Sequence, residues 1–286
     1  MATSHRPEQP GHAQARGLTP SPPPAPAAPP LNLDQAQEMA LKITTFFEGG
    51  KSMNYQALAG DFDGQGTSFG LIQWNFGQNT LGPLLRKMLL ADATAFAACF
   101  GPNADYPSLQ KALSDNKKDD QLAWARKLIK NNRAAWQDAF TKIGANDNFN
   151  RIQRNEAAAH YHPLVVAAIA SIRPLAPDLM KAVDFRSYAA LFDLCVQQNG
   201  IQKAFDAIKL RVKADKPKTQ LDLMKIVVAE RARVASTAWA SDCMSRRLGI
   251  LGGTTFTSTE HGIKKARSNP RFDLITQYGD AHVAGL

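Results

Sequence analysis

Hydrophobic positions recur at helical spacing along most of this chain. Between residues 33 and 47 apolar side chains follow one another every three or four positions, which predicts an amphipathic helix. Asn32 is the expected N-cap, with Gln35 at the third helical position as in a capping box. A Gly-Gly pair ends the helix directly after Glu48, because glycine takes the left-handed C-terminal conformation readily.

The stretch at residues 55–80 is rich in glycine, aspartate and aromatic residues and predicts turns with a short hairpin. Beyond it the helical spacing returns and predicts helices at residues 81–100, 106–116, 118–142, 145–160, 163–173, 176–182, 185–198, 200–213 and 219–248. The Gly-, Thr- and Ser-rich residues 252–286 predict mostly irregular structure. The predicted fold class is therefore mainly α, and the long helical part can divide into two lobes around a cleft.

The first thirty residues differ in composition from the rest. They are rich in Pro, Ala, His and Gln, with a proline run at residues 21–26. Such a segment buries too little apolar surface to offset the entropy lost on ordering. We predict a disordered Pro/Ala-rich tail at residues 1–30 and one domain at residues 31–286.

Length and composition are those of a globular protein. The chain has 286 residues, of which 44% are hydrophobic and 21% charged. No apolar run approaches the ~18 residues that a membrane helix needs, and residues 1–30 contain no apolar segment typical of a signal peptide. If the protein acts outside the cytoplasm where it is made, we expect non-classical export or cell lysis to take it there.

The cysteine count bears on disulfide bonds, and the net charge bears on the class of binding partner. Cys99, Cys195 and Cys243 are far apart and odd in number, which predicts buried thiols rather than a disulfide framework. The net charge of +9 favours a polyanionic partner, such as an anionic bacterial cell wall, or reflects a solvated basic surface. No nucleic-acid motif accompanies the basic residues. We interpret Arg246 and Arg247 as a solvated pair, with a substrate clamp as the alternative.

Glu48 has the features of a general acid. It lies in the last helical turn, where the negative end of the macrodipole disfavours a charged carboxylate. The two phenylalanines before it add partial burial, which acts in the same direction. A carboxylic acid that stays protonated is what proton donation requires. An exposed glutamate at a frayed helix end is the alternative reading.

Two aspartates follow on a glycine-rich turn. Asp61 and Asp63 lie 13 and 15 residues after Glu48, so the chain can turn back and place either carboxylate opposite it. Glycosidic bond hydrolysis needs one protonated and one ionised carboxyl group, so this pattern indicates cleavage of a sugar polymer. Ser68 is a candidate for holding the catalytic water. The candidate substrate-binding residues on this stretch are Tyr55, Thr67, Gln73, Trp74 and Asn75.

A calcium loop and a purely structural turn are the competing interpretations of this stretch. Asp61-x-Asp63-x-Gln65-Gly66 resembles the opening of an EF-hand loop, but the twelfth position is Ile72 rather than glutamate. His160 and His162 do not share a helix face and have no third ligand nearby in the sequence. We therefore expect no metal and no cofactor.

At this point the motifs resemble a known group. The residues from Phe47 to Gly50, followed by the Asp-Gly turn up to Gly70, resemble the catalytic stretch of chitosanases within the lysozyme superfamily. The run 68–73 is similar to a signature of goose-type lysozymes and lytic transglycosylases. Residues 191–200, which include the candidate substrate-binding residue Gln197, and residues 229–248 also resemble chitosanase segments.

This resemblance implies a two-lobed α+β lysozyme-like fold with a small β-hairpin beside the cleft. It implies Glu48 as the general acid, Asp63 as the general base and Ser68 as the residue that positions water. Asp61 remains the alternative base. The resemblance also implies inversion at the anomeric carbon, for which the two carboxyl groups must lie ~6.5–9.5 Å apart.

Two departures from chitosanases favour peptidoglycan as the substrate. Gln65 stands where chitosanases commonly have arginine, and the chain is basic although chitosan is cationic. The chain also looks like the muramidase domains of phage endolysins and of type VI secretion effectors. We therefore expect a monomeric antibacterial muramidase that acts on peptidoglycan strands in the periplasm or outside the cell, with a delivery or immunity protein as a further partner.

Several alternatives stay open. The same residues suit a chitosanase, or a lytic transglycosylase that forms 1,6-anhydro products. A non-catalytic cell-wall-binding or secretion-adaptor domain is an alternative of another class. Nucleic-acid binding is suggested by charge alone, and we expect no nucleic-acid partner and no membrane span.

Overall fold

The computed structural model describes residues 29–62, 64–102 and 105–286. The tail predicted at residues 1–30 lies, apart from its last two residues, outside the described residues. Asp63, the predicted base, lies outside them as well. Within the described ranges no helix is both long enough and apolar enough to cross a bilayer.

The first helix has the ends that its sequence predicts. Helix α1 spans Leu33–Gly49, and Asn32 and Gln35 form a reciprocal capping box at its start. Gly50 ends it in the left-handed conformation, with φ of 68°, and donates its N–H to the Phe46 carbonyl. These local signals place Glu48 in the final turn of α1.

A small antiparallel sheet follows α1, as predicted for residues 55–80. It consists of three two-residue strands in the order β1-β2-β3, with Ser68 opposite both Ala59 and Asn75. The bounds of its strands are β1 Leu58–Ala59, β2 Ser68–Phe69 and β3 Trp74–Asn75. The predicted hairpin is thus present and carries a third strand.

Six helices come next, and their boundaries differ from the prediction in two ways. They are α2 Leu81–Ala91, α3 Ala93–Phe100, α4 Tyr106–Ser114, α5 Lys118–Asn131, α6 Arg133–Ala145 and α7 Asp147–Ile172. The predicted helices at 81–100 and 118–142 are each split, because the side chains of Asp92 and Asn132 cap a new helix. Conversely, α7 continues through Pro163, since Ala157 and Val165 on either side are buried in the core.

The remaining elements are α8 Phe185–Gln198, α9 Phe205–Asp215, α10 Gln220–Arg233, α11 Thr237–Gly252, β4 Phe256–Glu260, β5 Ile263–Arg267 and α12 Phe272–Tyr278. Residues 176–182 form turns instead of the predicted helix, and 219–248 contains two helices instead of one. The irregular structure predicted for 252–286 was wrong. Strands β4 and β5 pack against α11, where the Ser241 hydroxyl bonds to the backbone of the hairpin.

The helices form two groups that meet along α7. Helices α2–α6 pack with the three-stranded sheet, whereas α1 and α8–α12 pack around α8 and α11. Helix α7 contacts α2 and α6 on one side and α1 and α8 on the other. One hydrophobic cluster runs through both groups, and all three cysteines are buried and free, as predicted. The predicted mainly helical α+β architecture is confirmed.

Candidate active site

Glu48 points from the end of α1 towards α11. Its Oε1 accepts a hydrogen bond of 2.7 Å from Nη2 of Arg246, and its side chain is 22% exposed. The same Nη2 donates to Oδ1 of Asp193 in α8 at 2.6 Å. Glu48 is therefore a partly accessible carboxylate whose orientation is fixed by a buried guanidinium.

The prediction that Arg246 and Arg247 are a solvated pair was wrong. Their side chains are 3% and 0% exposed, and both face Asp193, which is also fully buried. Nε of Arg247 lies 3.4 Å from Oδ2 of Asp193, close enough for an ion pair but not aligned for a hydrogen bond. Two buried arginines and one buried aspartate thus form a charged cluster behind Glu48.

Gln197, predicted to bind substrate, belongs to this cluster. Its Oε1 accepts hydrogen bonds from Nη2 of Arg247 at 2.6 Å and from Sγ of Cys243 at 3.2 Å. Its Nε2 donates to Oδ2 of Asp242 at 3.2 Å. Because both ends of the amide are engaged inside the protein, the contacts of Gln197 are structural.

The charges of this cluster shift the pKa values of neighbouring groups. Burial disfavours the charged form of Arg246, but the carboxylates of Asp193 and Glu48 outweigh it and raise the pKa of that guanidinium. Burial also raises the pKa of Tyr161 in α7 to about 12, and the charge of Glu48 adds to this shift. Arg246 further lies over the ring of Phe47, 4.7 Å from its centroid. The protonated state expected for Glu48 stays a prediction.

Asp61, the alternative base, holds the glycine-rich turn together. Its Oδ1 accepts from the Gly66 N–H at 2.6 Å, and its Oδ2 accepts from Nε of Arg126 in α5 at 2.7 Å. Burial opposes the charged form, but these two donors outweigh it and hold the pKa of Asp61 below its usual value. Both oxygens have structural partners, so these contacts favour an anchoring role for Asp61.

Thr67 is also structural. It is fully buried, and its Oγ1 accepts from Nε1 of Trp136 at 3.0 Å. Ser68, the predicted water-positioning residue, follows in β2 and is 7% exposed. Its role stays a prediction, because the base that it would serve lies outside the described residues.

Three other residues predicted to bind substrate are buried or are engaged in hydrogen bonds within the protein. Trp74 and Asn75 are 8% and 6% exposed, so they present little surface to a sugar. Oδ1 of Asn75 instead accepts from the Gln78 N–H, and Nε2 of Gln73 donates to the carbonyls of Ala57 and Gly70. The side chains of Gln73 and Asn75 thus hold the turns of the small sheet, and Trp74 is buried in the core.

Tyr55 is partly exposed. Its hydroxyl accepts from Nη1 of Arg154 at 2.7 Å, and Cζ of that arginine lies 5.8 Å from the ring centroid. Arg154 and Tyr161 are seven residues apart on α7, so they share a helix face and are separated by ~10 Å along its axis. This face of α7 therefore joins Tyr55 on the sheet side to the surroundings of Glu48.

Sequence reasoning missed Asp193, Tyr161 and Arg154 as parts of the site. No local pattern identifies them, since each becomes relevant through a contact with a distant segment. A weak signal existed for Asp193: it is the one acidic residue in the apolar run of α8, and a buried charge needs a partner. Within the described part of the chain, no group of three or more His, Cys, Asp and Glu side chains has a metal-binding arrangement.

Comparisons with solved structures identify similar folds. The chain resembles the native chitosanase of Bacillus subtilis MY002, with 12% identity and a TM-score of 0.50, over 82% of this chain and 98% of that one. It resembles the GH46 chitosanase of Gynuella sunshinyii, solved with chitotetraose, with 13% identity and a TM-score of 0.52 over the same shares. A further chitosanase complex is similar at 15% identity and a TM-score of 0.51, over 81% of this chain and 96% of that one.

These similarities confirm the predicted fold. No protein-family model matches the sequence, and neither does any curated protein. The three chitosanases are covered almost completely, so the likeness extends over the whole domain rather than over one motif. At this identity it is a likeness of fold, and the chemistry has to be argued from the site.

Proposed function

We propose that this protein is a glycoside hydrolase that cleaves the β-1,4-linked glycan of peptidoglycan by general acid/base catalysis, as a muramidase does. The observation that carries the proposal is the placement of Glu48. Its carboxylate is partly exposed at the end of α1, and buried Arg246 fixes its orientation. A positioned carboxyl group that a substrate can reach is the first requirement for proton transfer to a glycosidic oxygen.

In this proposal Glu48 takes up a proton before the reaction and donates it to the leaving oxygen as the glycosidic bond breaks. Asp63 takes a proton from the attacking water, and Ser68 orients that water. Asp61 keeps the turn in place through Gly66 and Arg126, which supports Asp63 over Asp61 as the base. No cofactor takes part in these steps.

The arginines of the site support peptidoglycan over chitosan. Arg246 contacts Glu48, Arg154 contacts Tyr55 and Arg126 contacts Asp61. Arg246 and Arg126 are paired with carboxylates, whereas Arg154 forms no ion pair among the described residues, so its charge beside Tyr55 is the one that would repel the ammonium groups of chitosan. Peptidoglycan carries acetylated amino groups and carboxylates, so its charge is complementary to this arginine.

The proposal is tested by incubating purified sacculi with the protein and measuring new reducing ends. We expect Glu48→Gln to lower the rate by about 10²–10⁴-fold, the usual contribution of a general acid. Glu38→Gln is the matched control, because Glu38 lies on the same helix in a surface ion pair with Lys42. Undiminished activity of Glu48→Gln would remove Glu48 from the mechanism.

The two candidate bases are separated by Asp63→Asn and Asp61→Asn, each assayed for activity and for thermal unfolding. We expect Asp63→Asn to lose activity with an unchanged melting temperature. Asp61→Asn weakens the contact with Arg126 and should lower the melting temperature.

Products with 1,6-anhydro ends would instead assign a lytic transglycosylase. Sacculus binding without soluble products would favour the non-catalytic wall-binding alternative.

Chitosan hydrolysis is the second candidate function. The observation that favours it is the fold, because the similar solved structures are chitosanases and one of them holds chitotetraose. The two candidates are compared by assaying fully deacetylated chitosan and peptidoglycan side by side. If only chitosan is hydrolysed, chitosan and not peptidoglycan is the substrate.

For a peptidoglycan hydrolase of this kind, we propose the role of an antibacterial effector or an endolysin.

A further inference from the structure

A lysine-lined groove lies at the C-terminal end of α9. Lys209, Lys213 and Lys216 face a cavity of about 450 Å³ whose floor is formed by apolar side chains, including Val212 and Pro217. Lys209 and Lys213 are four residues apart on one face of α9, and Lys216 directly follows the helix as its C-cap residue in the left-handed conformation. All three lysines are exposed, so their ammonium groups are available to a ligand.

A second cavity extends this groove. It has a volume of about 280 Å³, shares Lys216 and Pro217 with the first, and adds Lys218 and Lys225. Its two aspartates are already engaged: Asp215 accepts from Arg211, and Asp222 accepts from the Thr219 hydroxyl and lies 3.6 Å from Lys225. The two cavities together therefore present an excess of positive charge.

The positive charge is largely uncompensated within the protein. Among the ion pairs formed by the described residues, none involves Lys209, Lys213, Lys216 or Lys218. Clustered ammonium groups over an apolar floor repel one another unless an anion lies between them. Interaction with the helix dipole at the α9 C-terminus explains Lys213 and Lys216. It does not explain Lys218 and Lys225, which follow α9 in the chain and line the second cavity.

The chemistry of the groove suits phosphate and lacks the features of a site for nucleic-acid bases. Lysine binds phosphate as a point charge, and Arg211 on α9, whose fork could match a carboxylate or a phosphate, is turned to Asp215. No aromatic side chain lines either cavity, although single-stranded nucleic acids are usually held by stacking on aromatic rings. The groove is thus suited to a phosphate chain without bases.

The groove is separate from the candidate active site. It adjoins the turn after α7, and Ile172 at the end of that helix is ~16 Å along the axis from Tyr161, the neighbour of Glu48. We propose that this groove binds a phosphodiester-linked polyol or sugar polymer, of the kind that accompanies peptidoglycan in cell walls, and so holds the protein on its substrate. Binding of the polymer is independent of the proposed hydrolase function, whereas its role in holding the protein on a substrate rests on that function.

The test is binding of a labelled poly(glycerol phosphate) chain, followed by fluorescence anisotropy. We expect the triple variant Lys209→Gln, Lys213→Gln, Lys216→Gln to raise the Kd by about tenfold, since each exposed charge contributes modestly. The matched control removes three exposed lysines of the other helix group, Lys117→Gln, Lys118→Gln and Lys130→Gln, and should change the Kd little. Unchanged melting temperatures establish that both triple variants fold.

Three results would overturn the proposal. The first is no binding of the polymer by the wild-type protein, and the second is an equal loss in both triple variants. The third is equally tight, equally lysine-dependent binding of a single-stranded DNA or a polyglutamate chain of the same charge. Glu48→Gln should bind the polymer like the wild type. Failure of hydrolysis with intact binding would therefore count against the proposed function and not against the groove.

Discussion

At the scale of single residues, Arg246 connects the candidate acid to the core. One nitrogen of its guanidinium donates to Glu48 and Asp193, and the side chain is almost completely buried. A buried charge is tolerable only with partners, so Asp193 and Arg247 compensate charge as well as orient the group. The position of Glu48 thus depends on residues that make no contact with solvent.

We expect Arg246→Met to lower the free energy of unfolding by about 3–5 kcal/mol, because it leaves the Asp193 carboxylate buried with less compensation. Arg246→Lys keeps the charge but cannot reproduce the shared hydrogen bonds, and should lose less stability. Urea unfolding measures both variants. Lys42→Met, which breaks the surface pair with Glu38, is the control and should change stability by less than ~1 kcal/mol. Equal effects of Lys42→Met and Arg246→Met would contradict the interpretation.

At the scale of elements, the glycine-rich turn is fixed on α5 rather than free to move. Arg126 bonds to Asp61 and to the Gly64 carbonyl, and Gly66 approaches Leu122 so closely that a Cβ atom would lie 2.5 Å from Cδ1 of that leucine. Gly66 also has a φ of +80°, which disfavours other residues. Asp61, Gly64 and Gly66, described residues of this turn, are therefore held by packing as well as by backbone conformation.

We expect Gly66→Ala to lower the free energy of unfolding by about 1–3 kcal/mol, through backbone strain and the clash with Leu122. Gly64→Ala is the matched control, since its φ is +75° but nothing lies within 4 Å of the added Cβ. It should show the backbone cost alone. Thermal or urea unfolding measures the difference, and adding Leu122→Ala to Gly66→Ala should cancel its steric part if the clash is real.

At the scale of the whole molecule, the two helix groups share one core that buries tyrosine and cysteine side chains as well as the charged cluster behind Glu48. Burial raises the pKa of Tyr161 to about 12 from 10.0, and that of Cys195 to about 12 from 9.0, with Arg247 opposing and Asp193 adding to the second shift. In the unfolded chain these groups lose their protons first, so the native state holds more protons in alkaline solution. The stability that they contribute is complete below their unfolded values and is lost as the pH rises.

We therefore expect the free energy of unfolding to fall as the pH rises from 9 towards 12, by about 1.4 kcal/mol per pH unit for each group that titrates only in the unfolded state. Urea unfolding at a series of pH values measures this slope. Tyr161→Phe should flatten the curve above pH 10, and Cys195→Ala should flatten it from pH 9. A stability that stays constant from pH 8 to 11 would show that these groups do not control alkaline unfolding.

Within the described residues, the segment before α1 is bonded to the segment after α12. The Leu31 N–H donates to the His282 carbonyl, and the Ala284 N–H donates to the Leu31 carbonyl, both at 2.8 Å. The end of the chain thereby holds the start of α1, whose other end carries Glu48. Because residues 252–286 contain little helical periodicity, their part in this closure was not predictable from their own sequence.

The sequence by itself determined the features that depend on neighbouring residues. Helical spacing, the Asn32 cap and the glycine pair define α1 and put Glu48 at its end, and α8 also has the predicted bounds. The resemblance of a few motifs led to the correct fold. The continuous helix predicted at 81–100 and the break predicted before Pro163 were wrong, because a cap at Asp92 and core packing outweigh periodicity there.

Only the tertiary structure decided which residues surround Glu48. Arg246 is 198 residues away from it in the sequence, and Asp193 becomes its indirect partner through the same guanidinium. Likewise, only the folded structure shows that the side chains of Thr67 and Trp74, both candidate sugar contacts, are buried. Local sequence sets backbone conformation, whereas charge pairing and burial depend on contacts between distant segments, which exist only once the chain has folded.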